Sequence, residues 1–264
     1  MNKLVNTMFL ATILFFVTCG FSSATTIIDE YWGGTPGYGN NGADTNPKDI
    51  VGNDVDYDVS KIEVTQAGDT INLKIYSRFL DDSRELHNNL VQLGDLFIST
   101  DGWDPVSTSS NYTNDTASAA GEDWEYALVL DNHIGTTSGT TSLYNIEDGT
   151  ILLSDYYFDS TNYEYRKDQE VRFDANGAAI DTSPWSINFG TTDADTDDYL
   201  SLAFSLADLG FSFGQELGFH WTMTCANDVI EGAFKPVPEP ATMLLFGTGL
   251  IGLAGLTARR RNKK

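Results

Sequence analysis

Basic side chains are scarce in this sequence: 15 lysines and arginines stand against 38 aspartates and glutamates, a formal net charge of −23 at pH 7. Five of the 15 lie within the last six positions, 259–264, so the rest of the chain is more acidic still. Such a surface repels nucleic-acid phosphates and anionic lipid headgroups. The composition excludes a nucleic-acid-binding protein. It suits an extracellular protein that holds hard cations such as Ca²⁺, or one whose acidity only keeps it soluble.

Cysteine and histidine are almost absent, with two and three copies. Cys19 lies in the N-terminal apolar run, so Cys225 alone remains after export and no intramolecular disulfide is expected. A lone thiol of this kind is a small buried hydrophobe or, alternatively, an attachment point. No H-E-x-x-H or G-x-S-x-G motif occurs, which argues against zinc and serine hydrolases. His220 is expected to be a hydrogen-bonded structural or surface residue.

Acidic pairs are the remaining route to catalysis, because glycosidases work with two carboxylates. Glu122, Asp123 and Glu125 lie together, and Asp228 and Glu231 follow the last aromatic strand. The E-x-D-x-E motif of sandwich glycosidases is absent, and carboxylates are close together by chance in so acidic a chain. We therefore predict no catalytic residues and no enzyme. A polysaccharide hydrolase or lyase is kept as an alternative.

The N-terminus has the pattern of a secretory signal peptide. A basic start precedes an apolar run over residues 4–21 and the small residues Ser22-Ser23-Ala24, which predicts a signal peptide at 1–24 cleaved after Ala24. A lipoprotein signal at Cys19 is the rival, but Thr18 is too bulky for that motif. Residues 25–236 are then the exported part, long enough for one large domain or two small ones.

Alternating apolar and polar residues recur through the exported part, separated by turn sequences such as Asp101-Gly102 and Asn176-Gly177. Ile71-Asn72-Leu73-Lys74-Ile75 and residues 124–130 and 185–189 are examples. About ten short strands of this kind predict an all-β fold, a two-sheet jelly-roll-like β-sandwich.

The last 28 residues have three parts. Residues 241–258 carry no charge and, as a helix, span about 27 Å, close to a hydrocarbon core. Pro238-Glu239-Pro240 precedes this predicted transmembrane helix, and the basic tail 259–264 with Arg259-Arg260-Arg261 follows it, which places the tail in the cytoplasm. This order resembles the PEP-CTERM sorting signal, over 237–264.

The resemblance implies an exported protein that is anchored transiently in the inner membrane and recognised by exosortase, a membrane peptidase. It also implies delivery to the cell surface or to an extracellular, exopolysaccharide-rich biofilm matrix. The middle of the chain resembles an ectodomain of such surface proteins, and through it carbohydrate-binding and DOMON-like sandwiches. The segments that carry this second resemblance are 94–98, 123–127, 165–169 and 218–232.

Two kinds of site are predicted in the exported part. Trp32 and Trp103 lie in loop-like sequence and form the candidate glycan platform, whereas Trp124, Trp185 and Trp221 fall within strand alternations and are expected in the core.

Asp193, Asp195 and Asp197 set carboxylates at alternate positions, which suits a structural calcium site outside the EF-hand pattern. Residues 53–58 form a second acidic group of the same kind, and solvated loop acids are the alternative for both. Taken together, the sequence predicts a non-enzymatic surface or matrix protein that binds exopolysaccharide. A self-assembling structural protein is the first alternative.

Overall fold

The structure is a computed structural model that describes residues 22–34, 36–37, 49–51, 54–80, 91–106, 112–119, 121–158, 165–190, 198–211 and 214–237. Most of the predicted signal peptide and the predicted sorting tail from Pro238 onward lie outside these ranges. Within them, no helix is long and apolar enough to cross a membrane. The predicted transmembrane helix at 241–258 lies outside the described residues.

The described residues form mainly short strands. They are β1 (Ser22–Ile28), β2 (Pro36–Gly37), β3 (Val59–Ala67), β4 (Thr70–Ser77), β5 (Leu96–Ser99), β6 (Tyr126–Leu130), β7 (Ser138–Asn145), β8 (Gly149–Leu153), β9 (Tyr165–Arg166), β10 (Glu170–Ala175), β11 (Asp181–Asn188), β12 (Tyr199–Ser205), β13 (Leu217–Thr222) and β14 (Val229–Phe234). The helices are single turns: α1 (Asp54–Tyr57), α2 (Ser154–Tyr157) and two 3₁₀ turns, Arg78–Leu80 and Ile146–Asp148. The prediction of an all-β fold is confirmed.

Ten strands form one antiparallel sheet in the order β1-β3-β4-β12-β11-β7-β6-β5-β13-β14. Strands β8 and β10 form a separate pair, as do β2 and β9. The pairing of β4 with β12 joins Tyr76 to Tyr199, so it brings together parts of the chain that are more than a hundred residues apart. The sheet therefore depends on long-range contacts that local sequence cannot specify.

The main sheet curves until its two edge strands approach each other. A Cβ atom built on Gly232 of β14 would lie 2.5 Å from Cγ2 of Ile27 in β1, so only glycine permits this approach. The sheet is thus nearly closed and encloses one core in a sandwich-like arrangement. It is continuous where the sequence predicted two separate sheets, because alternation identifies the inward face of a strand but not its neighbours.

The core is filled by the inward positions of the alternating strands. In β4, Ile71, Leu73 and Ile75 have no exposed surface, and Trp185 and Trp221 are 2% and 0% exposed. The large buried side chains therefore come from the positions that the period-2 pattern marks as apolar.

A second layer covers the outer face of the sheet at β5, β6 and β13. All six residues of β13 are buried. Phe173 of β10 packs with Phe97, Trp124 and Ala127 in a cluster separate from the main core. A strand of an antiparallel sheet commonly has one face on the core and a polar face in water. In β13 the second layer covers that polar face, so it lies inside the protein.

Candidate functional site

A cleft of about 260 Å³ lies at the seam where the main sheet fails to close. Its walls include residues 25–28 of the edge strand β1 and 231–233 of the edge strand β14. Tyr31, Trp103 and Tyr112 also line it. The near-closure of the sheet therefore leaves a concave, partly aromatic surface between its two edge strands.

Three aromatic rings pack against one another in this cleft. The Tyr31 and Tyr112 rings are stacked, with centroids 5.4 Å apart, and the Trp103 ring lies 5.5 Å from Tyr112 and 6.5 Å from Tyr31. Tyr31 is only 2% exposed, whereas Trp103 and Tyr112 are half-buried. The buried tyrosine thus supports two rings that remain partly accessible from the cleft.

Trp103 is held by a hydrogen-bonded chain that runs into the protein. Its indole Nε1 donates to Glu231 Oε2 at 2.9 Å, and Glu231 Oε1 lies 2.7 Å from Nδ1 of His220. Nε2 of His220 is 2.6 Å from the backbone carbonyl oxygen of Glu170, which only accepts. The indole is therefore fixed by groups that are themselves oriented by buried hydrogen bonds.

The geometry places acceptors at both ring nitrogens of His220, which has no exposed surface. Burial lowers the pKa of this imidazole, but the hydrogen bond and charge of Glu231, with the charge of Glu170, outweigh burial and raise it. His220 therefore favours the doubly protonated form, in which it donates to both neighbours.

Other acids near the cleft are shifted toward their neutral forms. Burial, with the charge of Glu231, raises the pKa of Glu170 to about 7 and that of Asp115 to about 6. Burial also raises the pKa of Glu122 to about 7, while its Oε2 accepts a hydrogen bond from the backbone N–H of Asp104 at 2.5 Å. The pKa values of these three acids, which lie around the cleft and not in its lining, are thus raised mainly by burial.

Raising the pH from about 5 to about 8 is expected to lower the thermal unfolding midpoint by several degrees. Glu170 has a pKa near 7 in the folded chain and near 4.5 unfolded, so between these values only the folded chain keeps the proton. The free energy of unfolding falls through that window, by up to roughly 3 kcal/mol. His220 acts in the same direction, because its contribution is present below its unfolded pKa and is lost as pH rises through its raised folded pKa.

Calorimetry across this pH range measures the slope. Glu170→Gln, which is neutral in both states, should flatten it. Stability that rises between pH 5 and pH 8 in the wild type would contradict the prediction.

A second group of carboxylates lies close to the cleft. Asp29, Asp49 and Asp228 come from three separate segments, and each offers a ligand atom within 4.8 Å of the others. Burial and the neighbouring negative charges raise the pKa of Asp29 and of Asp228 well above the usual range, and burial raises that of Asp49 to about 6.

The structure places the predicted tryptophans in different surroundings. Trp103 lines the cleft, as a platform residue would, whereas Trp32 is half-buried and is not among the described residues that line it. Trp124 is 7% exposed, and with Trp185 and Trp221 it is buried as predicted. The assignment of a glycan platform to Trp32 and Trp103 stays a prediction.

The predicted calcium residues Asp193, Asp195 and Asp197 lie outside the described residues. Of the second acidic group, Asp58 forms an ion pair with Arg78, with Oδ2 3.4 Å from Nε. Burial raises the pKa of the Cys225 thiol to about 12, which fits an inert buried side chain.

Sequence reasoning missed four residues that the fold brings to these two sites. Asp29 and Tyr31 follow directly after β1, and Tyr112 lies in a loop. Asp49 is the one acidic residue of the described segment 49–51. Asp29 and Tyr31 are two positions apart just beyond the end of β1, and residues i and i+2 of an extended chain lie on the same face. That spacing was the available signal, but it does not identify the partner segments.

The C-terminal residues match a known family model. Residues 236–261 match the PEP-CTERM protein-sorting motif, a range that contains the predicted Pro238-Glu239-Pro240 and Arg259-Arg260-Arg261. No curated protein and no solved structure matches the chain. The motif implies export, membrane anchoring before sorting and recognition by exosortase. The chain thus carries a PEP-CTERM sorting motif, C-terminal to an all-β domain that has an acidic, aromatic cleft at its seam.

Proposed function

We propose that this exported protein is delivered to the cell surface or the extracellular matrix, where the seam cleft binds polysaccharide without catalysis. The observation that carries the proposal is the Trp103 indole, which is fixed at the cleft by its hydrogen bond to Glu231. A flat aromatic face contacts the C–H face of a sugar ring, and neighbouring carboxylates accept hydrogen bonds from its hydroxyl groups. Both chemical features are present in the cleft.

The hypothesis that the middle segments resemble carbohydrate-binding and DOMON-like sandwiches belongs to the same proposal. Of the segments that carry it, 218–232 supplies His220 and Glu231, which orient the indole. The proposed ligand is an extended, neutral or weakly charged glycan, because the acidic rim would repel a strongly anionic one.

The test is retention of the detergent-solubilised full chain on the exopolysaccharide of the producing cells. Trp103→Ala should weaken retention about tenfold or more, because a central aromatic anchor is lost. Trp103→Phe keeps a flat ring but loses the bond to Glu231, so we expect an intermediate affinity.

Trp32→Ala removes an equally large side chain outside the cleft and is the matched comparison. Wild-type retention by Trp103→Ala, with its unfolding midpoint unchanged, would rule out the cleft as the binding surface. Loss in Trp32→Ala alone would move the platform to Trp32. Reducing ends or unsaturated sugars released from the polysaccharide would instead indicate the hydrolase or lyase alternative.

Self-assembly is the second candidate, and it is favoured by the two edge strands at the seam. Within the described residues β1 pairs only with β3 and β14 only with β13, so each strand has an outer edge with no strand on it. Such edges pair readily with other chains. Concentration-dependent sedimentation in the absence of glycan would support this candidate, and a monomer at all concentrations would exclude it.

A further inference from the structure

Three carboxylates that are distant in sequence converge beside the cleft. Asp29 follows β1, Asp49 lies in the segment 49–51, and Asp228 immediately precedes β14; their ligand atoms lie within 4.8 Å of one another. Asp228 is held from two sides, because its Oδ2 accepts from the backbone N–H of Val59 at 2.6 Å and its Oδ1 from that of Val229 at 3.0 Å. The convergence is therefore built into the fold and is not a chance approach of flexible acids.

Oxygen atoms at this place are buried without hydrogen bonds. Oδ2 of Asp29 and Oδ1 of Asp49 are shielded from solvent and have no hydrogen-bond partner among the described residues. The same holds for the side-chain oxygen of Asn227, which is 2% exposed and directly precedes Asp228. The backbone carbonyl of Asn227 accepts from the N–H of Val51 at 2.7 Å, which ties this turn to the Asp49 segment.

A buried acceptor with no donor is expensive, and three of them in adjoining segments call for a partner. A bound metal ion satisfies such oxygens without needing a donor hydrogen. Asn227 carries no charge and does not belong to the acidic cluster. Its buried oxygen without a hydrogen-bond partner is therefore evidence that is independent of the clustering of the three aspartates.

The charges at this place do not balance by themselves. The guanidinium of Arg166, which has no exposed surface, donates from Nη1 to the carbonyl of Gly34 at 2.7 Å and from Nη2 to that of Asp49 at 2.6 Å. Arg166 contributes one positive charge near the three carboxylates. Asp58, a further acid nearby, is left out of this count because it forms an ion pair with Arg78. When all three carboxyls are ionised, as they would be around a bound metal ion, the remaining charge of about −2 matches a divalent cation.

We propose that Asp29, Asp49 and Asp228 bind a Ca²⁺ ion, and the buried, unpartnered side-chain oxygen of Asn227, next in sequence to Asp228, is the candidate fourth ligand. The donors are all oxygens, which favours a hard cation over Zn²⁺, whose sites are built mainly from Cys and His. They come from irregular turns, and this variable geometry suits the six to eight ligands of Ca²⁺ better than the strict octahedron of Mg²⁺. Water molecules complete the shell.

The proposed ion links the segments that build the cleft. Asp29 lies two residues before Tyr31, and Asp228 lies three residues before Glu231, which orients Trp103. Calcium would therefore fix both walls of the cleft relative to each other. This coupling rests on the proposed glycan function, whereas the ion site itself does not.

The ion site is tested by thermal unfolding of the full chain in detergent with 10 mM CaCl₂, 10 mM MgCl₂ or EDTA. An ion that binds only the folded state raises the midpoint; with an affinity typical of extracellular calcium sites we expect about 5 °C with Ca²⁺ and clearly less with Mg²⁺. Equilibrium dialysis with radioactive calcium counts the ions bound per chain.

Asp49→Asn is the decisive variant. It should lose the calcium-dependent rise and one bound ion per chain. In EDTA it should be at least as stable as the wild type, because one of three mutually repelling carboxylates is neutralised. A purely structural role for Asp49 would instead lower stability in both conditions. Asp181→Asn removes an exposed aspartate on β11 and should keep the full calcium response.

Asp29→Asn provides the same test if Asp49→Asn does not fold. A wild-type midpoint that does not respond to calcium would overturn the proposal, as would a full calcium response in both variants, which would place the ion elsewhere. Glycan retention is measured separately. If calcium raises the unfolding midpoint but the chain is not retained on the polysaccharide, the ion site is supported and the glycan function is contradicted. If retention on the polysaccharide persists in EDTA, only the coupling between calcium and glycan binding is contradicted.

Discussion

Gly94→Ala is expected to abolish cooperative folding or to lower the unfolding midpoint by about 10 °C or more. A Cβ atom at this position would lie well inside contact distance of the carbonyl oxygen of Thr222 and 2.8 Å from that of Val171. Both are backbone atoms of neighbouring strands, so no side-chain rotation relieves the clash. Overpacking against backbone on two sides should cost at least about 4 kcal/mol.

The structural reason is the junction between the main sheet and its second layer. The carbonyl oxygen of Gly94 accepts from Nε1 of the fully buried Trp221 at 3.3 Å, and the next residue, Asp95, donates its N–H to the Val171 carbonyl at 3.0 Å. A side chain at Gly94 would therefore separate β13 from β10, and with them the two layers.

Thermal unfolding followed by circular dichroism gives the measurement. Gly135→Ala is the matched control, because Gly135 has a φ of +72° and open space around its Cβ position. It should lose only the roughly 1–2 kcal/mol of left-handed backbone strain. Equal midpoints for the two variants would show that the strands at Gly94 move apart at little cost.

Asp95→Ala is expected to cost about 3–5 kcal/mol, because it leaves several buried donors without an acceptor. Oδ1 of Asp95 accepts from the backbone N–H of Leu130 at 3.0 Å and lies 2.7 Å from Nε2 of His133. Oδ2 accepts from the backbone N–H of Phe173 at 2.9 Å, and Nε of Arg172 lies 3.7 Å away. One fully buried carboxylate therefore joins β6 of the main sheet to β10 of the second layer.

Urea unfolding measures this loss directly, as a lower midpoint with an unchanged slope. Asp95→Asn keeps one carbonyl acceptor and should fall between alanine and wild type. Asp101→Ala, at an exposed acid that accepts only from the Ser99 hydroxyl among the described contacts, should change stability by less than about 0.5 kcal/mol. A similarly small effect of Asp95→Ala would mean that water replaces the carboxylate at all three donors.

Local sequence was sufficient for features that depend on neighbouring residues only. The alternation at Ile71, Leu73 and Ile75 predicts an inward strand face, and all three are fully buried. The sorting motif is likewise a linear pattern, and it is found at residues 236–261. In both cases the physical cause acts over a few residues, through side-chain direction or through recognition of a contiguous segment.

The cleft could be predicted only in part. Trp103 stood out because it lies in turn-rich sequence, but its partner Glu231 is 128 residues away. His220 was expected to be hydrogen-bonded or at the surface, and only the structure shows that a second layer buries it. Such long-range contacts cannot be predicted from the sequence, because the residue pattern of one strand carries no information about which distant strand covers it.

Composition, strand alternation and a linear motif are local properties, so the amino-acid sequence is enough to identify an acidic, all-β exported protein with a PEP-CTERM sorting motif. The folded structure was needed to show that the main sheet is continuous and nearly closes at Gly232. It was also needed to show that Asp29, Asp49 and Asp228 meet beside an aromatic cleft. These outcomes follow from which strands pair across the whole chain, and that choice is made by the packing of the complete core.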